Sequence, residues 1–112
     1  MKIYCDSSLK KACVVVEGQE PTILPYTKEQ TNNSGEYKAV ILALAIAIVV
    51  KLEEVEVLTD SQLVAKQVSG EWACRAKHLL PLRDRVREFA QLTKATIRWI
   101  PREENLAGKA LE

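Results

Sequence analysis

The 112-residue sequence predicts an α/β domain, a five-stranded mixed sheet with helices on both faces in the element order βββαβααβα. Three observations carry that expectation. Short runs rich in β-branched residues are spaced between Lys2 and Lys28 as in an antiparallel meander. A long, apolar, alanine-rich stretch follows them. Two more strand-like runs then alternate with amphipathic segments, the pattern of strands crossed over by helices.

Lys2 to Asp6 alternates apolar and polar side chains and predicts a strand ending in an acid. Ala12 to Val16 is a continuous run suited to a strand covered on both faces. Thr22 to Lys28 predicts a third strand, which Pro25 assigns to an edge or a bulge. Thr31-Asn32-Asn33-Ser34-Gly35 breaks the pattern and offers several N-caps. The helix after it aligns Tyr37, Ile41, Leu44 and Ile48, with Ala39, Ala43 and Ala47 between them. Its scarcity of polar residues predicts burial on more than one side.

Val55 to Thr59 predicts the fourth strand, running into Asp60. Ser61 to Val68 is expected as a short helix, capped by Ser61 or Asp60 and stopped by Ser69-Gly70. Leu79 to Leu92 is amphipathic through Leu79, Leu82, Val86, Phe89 and Leu92. Thr96 to Ile100 predicts the fifth strand, closed by Pro101, and a short helix is expected from Glu103.

No repeat, low-complexity tract or flexible linker divides the sequence, so residues 1–112 are expected to form one domain. A formal net charge of +1 excludes a global basic field, and polyanion binding would have to come from a local patch. Cys5, Cys13 and Cys74 form no Cys-x-x-Cys pair; Cys5 and Cys13 fall in strand-like runs and are expected as small buried hydrophobes. The longest apolar run, Ala39 to Val50, falls far short of the ~20 residues that cross a bilayer. The N-terminus has no apolar signal core, so a reduced, cytoplasmic setting without a membrane partner is expected.

Three acids stand out by position: Asp6 ends the first strand, Glu36 falls in the first turn of the long helix, and Asp60 follows the fourth strand. If the first and fourth strands are neighbours, these residues converge at the carboxyl edge of the sheet, where open α/β sheets bind ligands. Carboxylates packed together repel one another unless a cation intervenes, and hard divalent ions favour oxygen ligands. A pair of such ions clamps the attacking and leaving oxygens in phosphoryl transfer. Simpler roles compete at this point: Asp60 and Ser61 as helix caps, Glu36 as a complement to the helix N-terminus, Asp6-Ser7-Ser8 as a turn.

Four segments separate these alternatives. Ile3-Tyr4-Cys5-Asp6-Ser7-Ser8 resembles the first-strand motif of the type 1 ribonuclease H family. Thr31-Asn32-Asn33-Ser34-Gly35-Glu36-Tyr37 resembles its Thr-Asn-Asn-x-x-Glu-Tyr helix start, and Asp60-Ser61-Gln62-Leu63-Val64 its Asp-Ser-x-Leu-Val segment. Trp99-Ile100-Pro101-Arg102-Glu103-Glu104-Asn105 is similar to the Trp-Val-Pro-Arg-Glu-x-Asn stretch of many bacterial and archaeal members. The segments keep family order across nearly the whole chain. The acid order Asp–Glu–Asp also differs from that of integrase-type enzymes, and Ser8 from the Asp-x-Glu of proofreading exonucleases.

The resemblance implies a ribonuclease H-like fold and hydrolysis of the RNA strand of RNA–DNA hybrids with two divalent ions, Mg²⁺ or Mn²⁺. It implies that Asp6 bridges both ions while Glu36 and Asp60 hold one of them. Asn32 and Asn33 fall where the family touches the hybrid's minor groove, although a turn and an N-cap account for them as well. Lys66, Arg75, Lys77, Arg83, Arg85 and Arg87, with Trp72 and His78 among them, lie where the family runs beside the DNA strand. Lys66, Arg75 and Lys77 are the expected phosphate contacts. The competing account is a solvated helix face with Trp72 as a core anchor. His78 is expected to cap the amphipathic helix or face solvent.

The sequence departs from the family where a fourth acid stands in Asn-x-x-Ala-Asp. This chain reads Asn105-Leu106-Ala107-Gly108-Lys109, so Gly108 or Lys109 occupies that place, with Glu104 or Glu103 as the nearest substitute ligand. The implied consequence is a two-ion site with one ion held weakly. The loop histidine of some members is Arg102 here, and the glycine after the first acid is Ser7. The leading expectation is a metal-dependent endoribonuclease; the alternative is a catalytically weak nucleic-acid-binding or scaffolding module that keeps the fold.

Overall fold

A computed structural model describes residues 1–112. Its strands are β1 (Lys2–Ser7), β2 (Lys11–Val16), β3 (Thr22–Pro25), β4 (Glu56–Thr59) and β5 (Thr96–Trp99). The helices are α1 (Asn32–Val49), α2 (Gln62–Ser69), α3 (Leu80–Thr93) and α4 (Leu106–Leu111), with a 3₁₀ turn at Arg102–Glu104 before the last. The strands form one sheet in the order β3-β2-β1-β4-β5. The first three make the antiparallel meander, while β1–β4 and β4–β5 pair in parallel.

The alternation along β1 assigns the two faces. Ile3 and Cys5 join Ala12, Val14, Val16 and Val57 beneath α1, α2 and α3. On the opposite face Cys13 and Val15 pack with Tyr4 against α4 through Ala107, Ala110 and Leu111. Both faces of β2 are therefore buried, as its continuous apolar run requires. All three cysteines are buried free thiols. No helix is long and apolar enough to cross a membrane.

The boundaries follow local chemistry. β3 sits at the sheet edge and stops at Pro25, three residues short of the Lys28 the sequence suggests. Thr31 caps α1, its hydroxyl accepting from Ser34 N at 3.1 Å, and Ser34 answers with a bond from Thr31 N. Ser61, not Asp60, caps α2, and Gly70 ends it at φ 88°. The final helix begins later than Glu103 because Asn105 interrupts the 3₁₀ turn and caps Ala107 N.

Two apolar stripes are shorter than their sequence patterns. In α1 the buried line is Tyr37, Val40, Leu44 and Ala47, with Ile41 half-buried and Ile48 exposed. In α3 Leu79, Leu82, Val86 and Phe89 pack inward, but Leu92 is 68% exposed. Ile48 and Leu92 both lie at the C-terminal ends of their helices, beside one open cleft.

Candidate active site

At the carboxyl ends of β1 and β4, Asp6, Glu36 and Asp60 converge, each offering a carboxylate oxygen with all three within 4.8 Å of one another. Three different elements deliver them. Asp6 is still inside β1, paired with Cys13 and followed by Ser7 in the strand, rather than its last residue. It points to the α4 side of the sheet, as the alternation with Cys5 dictates. Asp60 follows β4, which lies directly beside β1. Glu36 is the fifth residue of α1, in its second turn rather than its first, because the cap is at Thr31. That register removes its simpler role as a complement to the helix N-terminus, and the Ser61 cap removes the simpler role of Asp60.

Close approach of α1 to β1 is what brings Glu36 in. A Cβ on Gly35 would lie 2.5 Å from Ser7 Oγ, so glycine lets the helix and strand meet there with the Ser7 hydroxyl in place. The Tyr26 hydroxyl donates to Gly35 O at 3.0 Å and lies 2.7 Å from Ser7 Oγ, pinning the same junction from the residue after β3.

Asn105 organises the other side. It is fully buried; its amide nitrogen donates to Cys5 O at 2.9 Å and to Asp60 Oδ2 at 3.2 Å, and its oxygen caps α4. One side chain thus ties β1, an acid and α4 together. Trp99 Nε1 donates to the Asp60 backbone oxygen at 3.2 Å.

The electrostatics show what the cluster lacks. Burial, then the charge of Asp6 and a hydrogen bond with it, push the Glu36 carboxyl up to about 9. Burial and Asp6 also raise Asp60, opposed by its bond from Asn105 and by the nearby Arg102 guanidinium. Without a cation the site favours the protonated form of Glu36. An all-oxygen donor set this closely packed fits a hard divalent ion, which would displace that proton.

The acids open into a cleft of about 230 Å³ lined also by Ser7, Asn32 and Arg102, with no apolar side chain in it. Asn33 is exposed and does not line this cleft. Gly108 faces the cluster: a Cβ there would lie 3.0 Å from Asp6 Oδ2. Lys109 instead is exposed and shares a second cleft with Arg102, Glu103 and Glu112. Glu104 is exposed on the 3₁₀ turn and lies outside the acidic group.

The basic segment is divided. Arg75 and Lys77 are exposed and make no ion pair, whereas Lys66 is paired with Glu71 at 2.9 Å. Arg87 donates to Gln67 O and Val68 O at 3.1 Å and closes the end of α2; Arg83 pairs with Asp84. Trp72 is 45% exposed and so is no core anchor. His78 lines a cleft of about 360 Å³ with Lys28, Thr31 and Lys38, beside the start of α1.

Sequence reasoning passed over Asn105 as a site residue and treated Arg102 only as a replaced histidine. Both lie in the Trp99–Asn105 segment, but their roles rest on neighbours distant in the chain: Cys5 and Asp60 for Asn105, and the acidic cleft for Arg102.

The comparisons with known proteins decide the family. The family model described as reverse transcriptase-like matches residues 5–111. The crystal structure of RNase H1 from the halophilic archaeon Halobacterium salinarum superposes with a TM-score of 0.85 at 30% identity, over 98% of this chain and 92% of that one. The chain belongs to the ribonuclease H family. LC11-RNase H1, isolated from compost and solved in complex with an RNA/DNA hybrid, matches at 25% identity and TM-score 0.78 over 99% of both chains. The bifunctional protein Rv2228c of Mycobacterium tuberculosis is 34% identical over 97 residues, 82% of this chain. The chain spans only 27% of that protein's length.

Proposed function

We propose that this ribonuclease H chain is a single-domain, cytoplasmic endoribonuclease that hydrolyses the RNA strand of RNA–DNA hybrids and depends on Mg²⁺ or Mn²⁺. The observation that carries the reading is the meeting of Asp6, Glu36 and Asp60 within 4.8 Å in a wholly polar cleft at the sheet edge. The hybrid bound by LC11-RNase H1 supports the substrate class. Asp6, Glu36 and Asp60 would hold the divalent ions, which supply charge neutralisation and an activated water.

The chain's own groups set up the rest. Asn105 holds Asp60 in place through its Oδ2. Asn32 lies on the cleft wall, where its amide can read a 2′-hydroxyl, the group that marks RNA. Arg102 presents a guanidinium to the same cleft, suited to a phosphate oxygen. Arg75 and Lys77, exposed and unpaired, would meet the phosphates of the DNA strand, with Lys66 and Asn33 as further contacts.

Gly108 favours a second reading, a catalytically weak hybrid-binding module. It leaves the space beside Asp6 Oδ2 without a carboxylate, so one of two ions would be weakly held. A cleavage assay on a labelled hybrid with each metal separates the two. The enzyme reading expects cleavage that demands high metal or favours Mn²⁺, loss of it in Asp6→Asn, and a higher rate at low metal in Gly108→Asp. Binding without cleavage by wild type and Gly108→Asp, with either metal, would leave the binding module.

A further inference from the structure

A cleft of about 700 Å³ lies at the end of α1 away from the acids, between the C-terminal ends of α1 and α3. Ile48, Leu52 and Leu92 form its apolar floor. Val49 and Val50 adjoin it at the end of α1. Ile48, Val49, Val50 and Leu92 are 37%, 79%, 59% and 68% exposed, four of the eleven exposed large apolar side chains. Single exposed hydrophobes are ordinary, but several gathered at one place mark an interaction surface.

The rim says what covers it. Lys51, Glu53, Glu54 and Lys94 line the same cleft, two of each sign, all exposed, and none forms an ion pair within the chain. The turns that carry them are tied down by bonds from Leu52 N to Ala47 O and from Ala95 N to Ala90 O, both 2.9 Å, so little ordering cost attends docking. A nucleic acid or an anionic lipid surface would meet Glu53 and Glu54 unfavourably. A rim of both signs around an apolar centre instead lets two copies oppose acid to base across a two-fold axis. The net charge of +1 sets up no long-range repulsion between copies.

We propose that this end of the molecule is a two-fold interface for a second copy of the chain, burying Ile48, Val49, Val50 and Leu92 and opposing Lys51 and Lys94 of one copy to Glu53 and Glu54 of the other. About 18 Å of helix separates Glu36 from Ile48, so both acidic clefts stay open in the dimer.

Light scattering across roughly 1 µM to 1 mM tests this, since that range brackets the affinities of modest interfaces. The mass should rise with concentration from 12.6 kDa toward twice that value, and Val49→Lys should hold it at 12.6 kDa. The double variants Lys51→Glu/Lys94→Glu and Glu53→Lys/Glu54→Lys should each stay monomeric, while their equimolar mixture associates. All five positions are solvent-exposed, so thermal unfolding should confirm intact folds. A wild type that stays monomeric throughout overturns the proposal. So does a dimer indifferent to Val49→Lys, or a mixture that associates no better than its components.

Discussion

Glu36 is the residue on which the chemistry of the bare site turns. Its ordinary value is 4.5, and the folded chain raises it to about 9, chiefly through burial and then through Asp6. Below pH 4.5 the carboxyl is protonated whether the chain is folded or not, and no penalty arises. Between the two values the unfolded chain has shed its proton while the folded one still holds it, so stability falls as pH rises. Asp60, also raised, adds in the same direction. In the presence of a chelator, thermal unfolding of the wild type should therefore fall steadily from mildly acid pH toward pH 9. Glu36→Gln should flatten that decline and stabilise the metal-free fold near pH 8 by more than ~1 kcal/mol, since each pKa unit corresponds to about 1.4 kcal/mol. Adding Mn²⁺ should reverse the trend for wild type alone, because binding the ion competes with binding the proton. A wild-type profile that is flat in chelator would mean that these acids do not crowd one another.

At the scale of elements, the site depends on how near α1 comes to β1. Glycine inside a helix ordinarily costs about 1 kcal/mol relative to alanine, so Gly35→Ala would stabilise an isolated α1. Here the added methyl would sit 2.5 Å from Ser7 Oγ and 3.3 Å from Ser7 Cβ, so the Ser7 hydroxyl must leave its bond with Tyr26 and the helix must give by a few tenths of an ångström. The substitution should lower the melting temperature and weaken divalent-ion binding together, because the displaced helix carries Glu36; a more stable variant with unchanged ion affinity would show that the junction has slack. The sequence announces most of these elements, since period-two and helical patterns report what each strand or helix buries. It also singles out Asp6, Glu36 and Asp60, although Asp6 falls one residue inside β1 and Glu36 in the second turn of α1. What it could not supply were the facts set by neighbours. Ile48 and Leu92 continue their stripes perfectly well, yet no element covers them. Whether Ser61 or Asp60 capped α2 was open in the sequence; the folded register chose Ser61 and left Asp60 to the cluster. The register of α4, likewise, decides that Gly108 and not Lys109 faces Asp6.

For the whole molecule, the charge balance dictates how a polyanion would be held. With +1 overall, hybrid affinity must come from local contacts, and each phosphate neutralised releases condensed counterions. Log affinity should therefore fall linearly with log salt, with a slope that counts those contacts. The structure ranks the contributors. Arg75 and Lys77 have no acidic partner and give up nothing on meeting a phosphate, so Arg75→Ala and Lys77→Ala should each reduce the slope by about one. Lys66 must first leave Glu71, an exposed pair worth ~1 kcal/mol or less, so Lys66→Ala should change the slope less than either. Arg87 is committed to the carbonyls at the end of α2; its replacement should cost stability and leave the slope unaltered. Fluorescence titration of a labelled hybrid at several salt concentrations measures all four. Equal slopes in wild type, Arg75→Ala and Lys77→Ala would assign this segment to solvent, and the hybrid would then have to be held from the side of Asn32 and Arg102 alone.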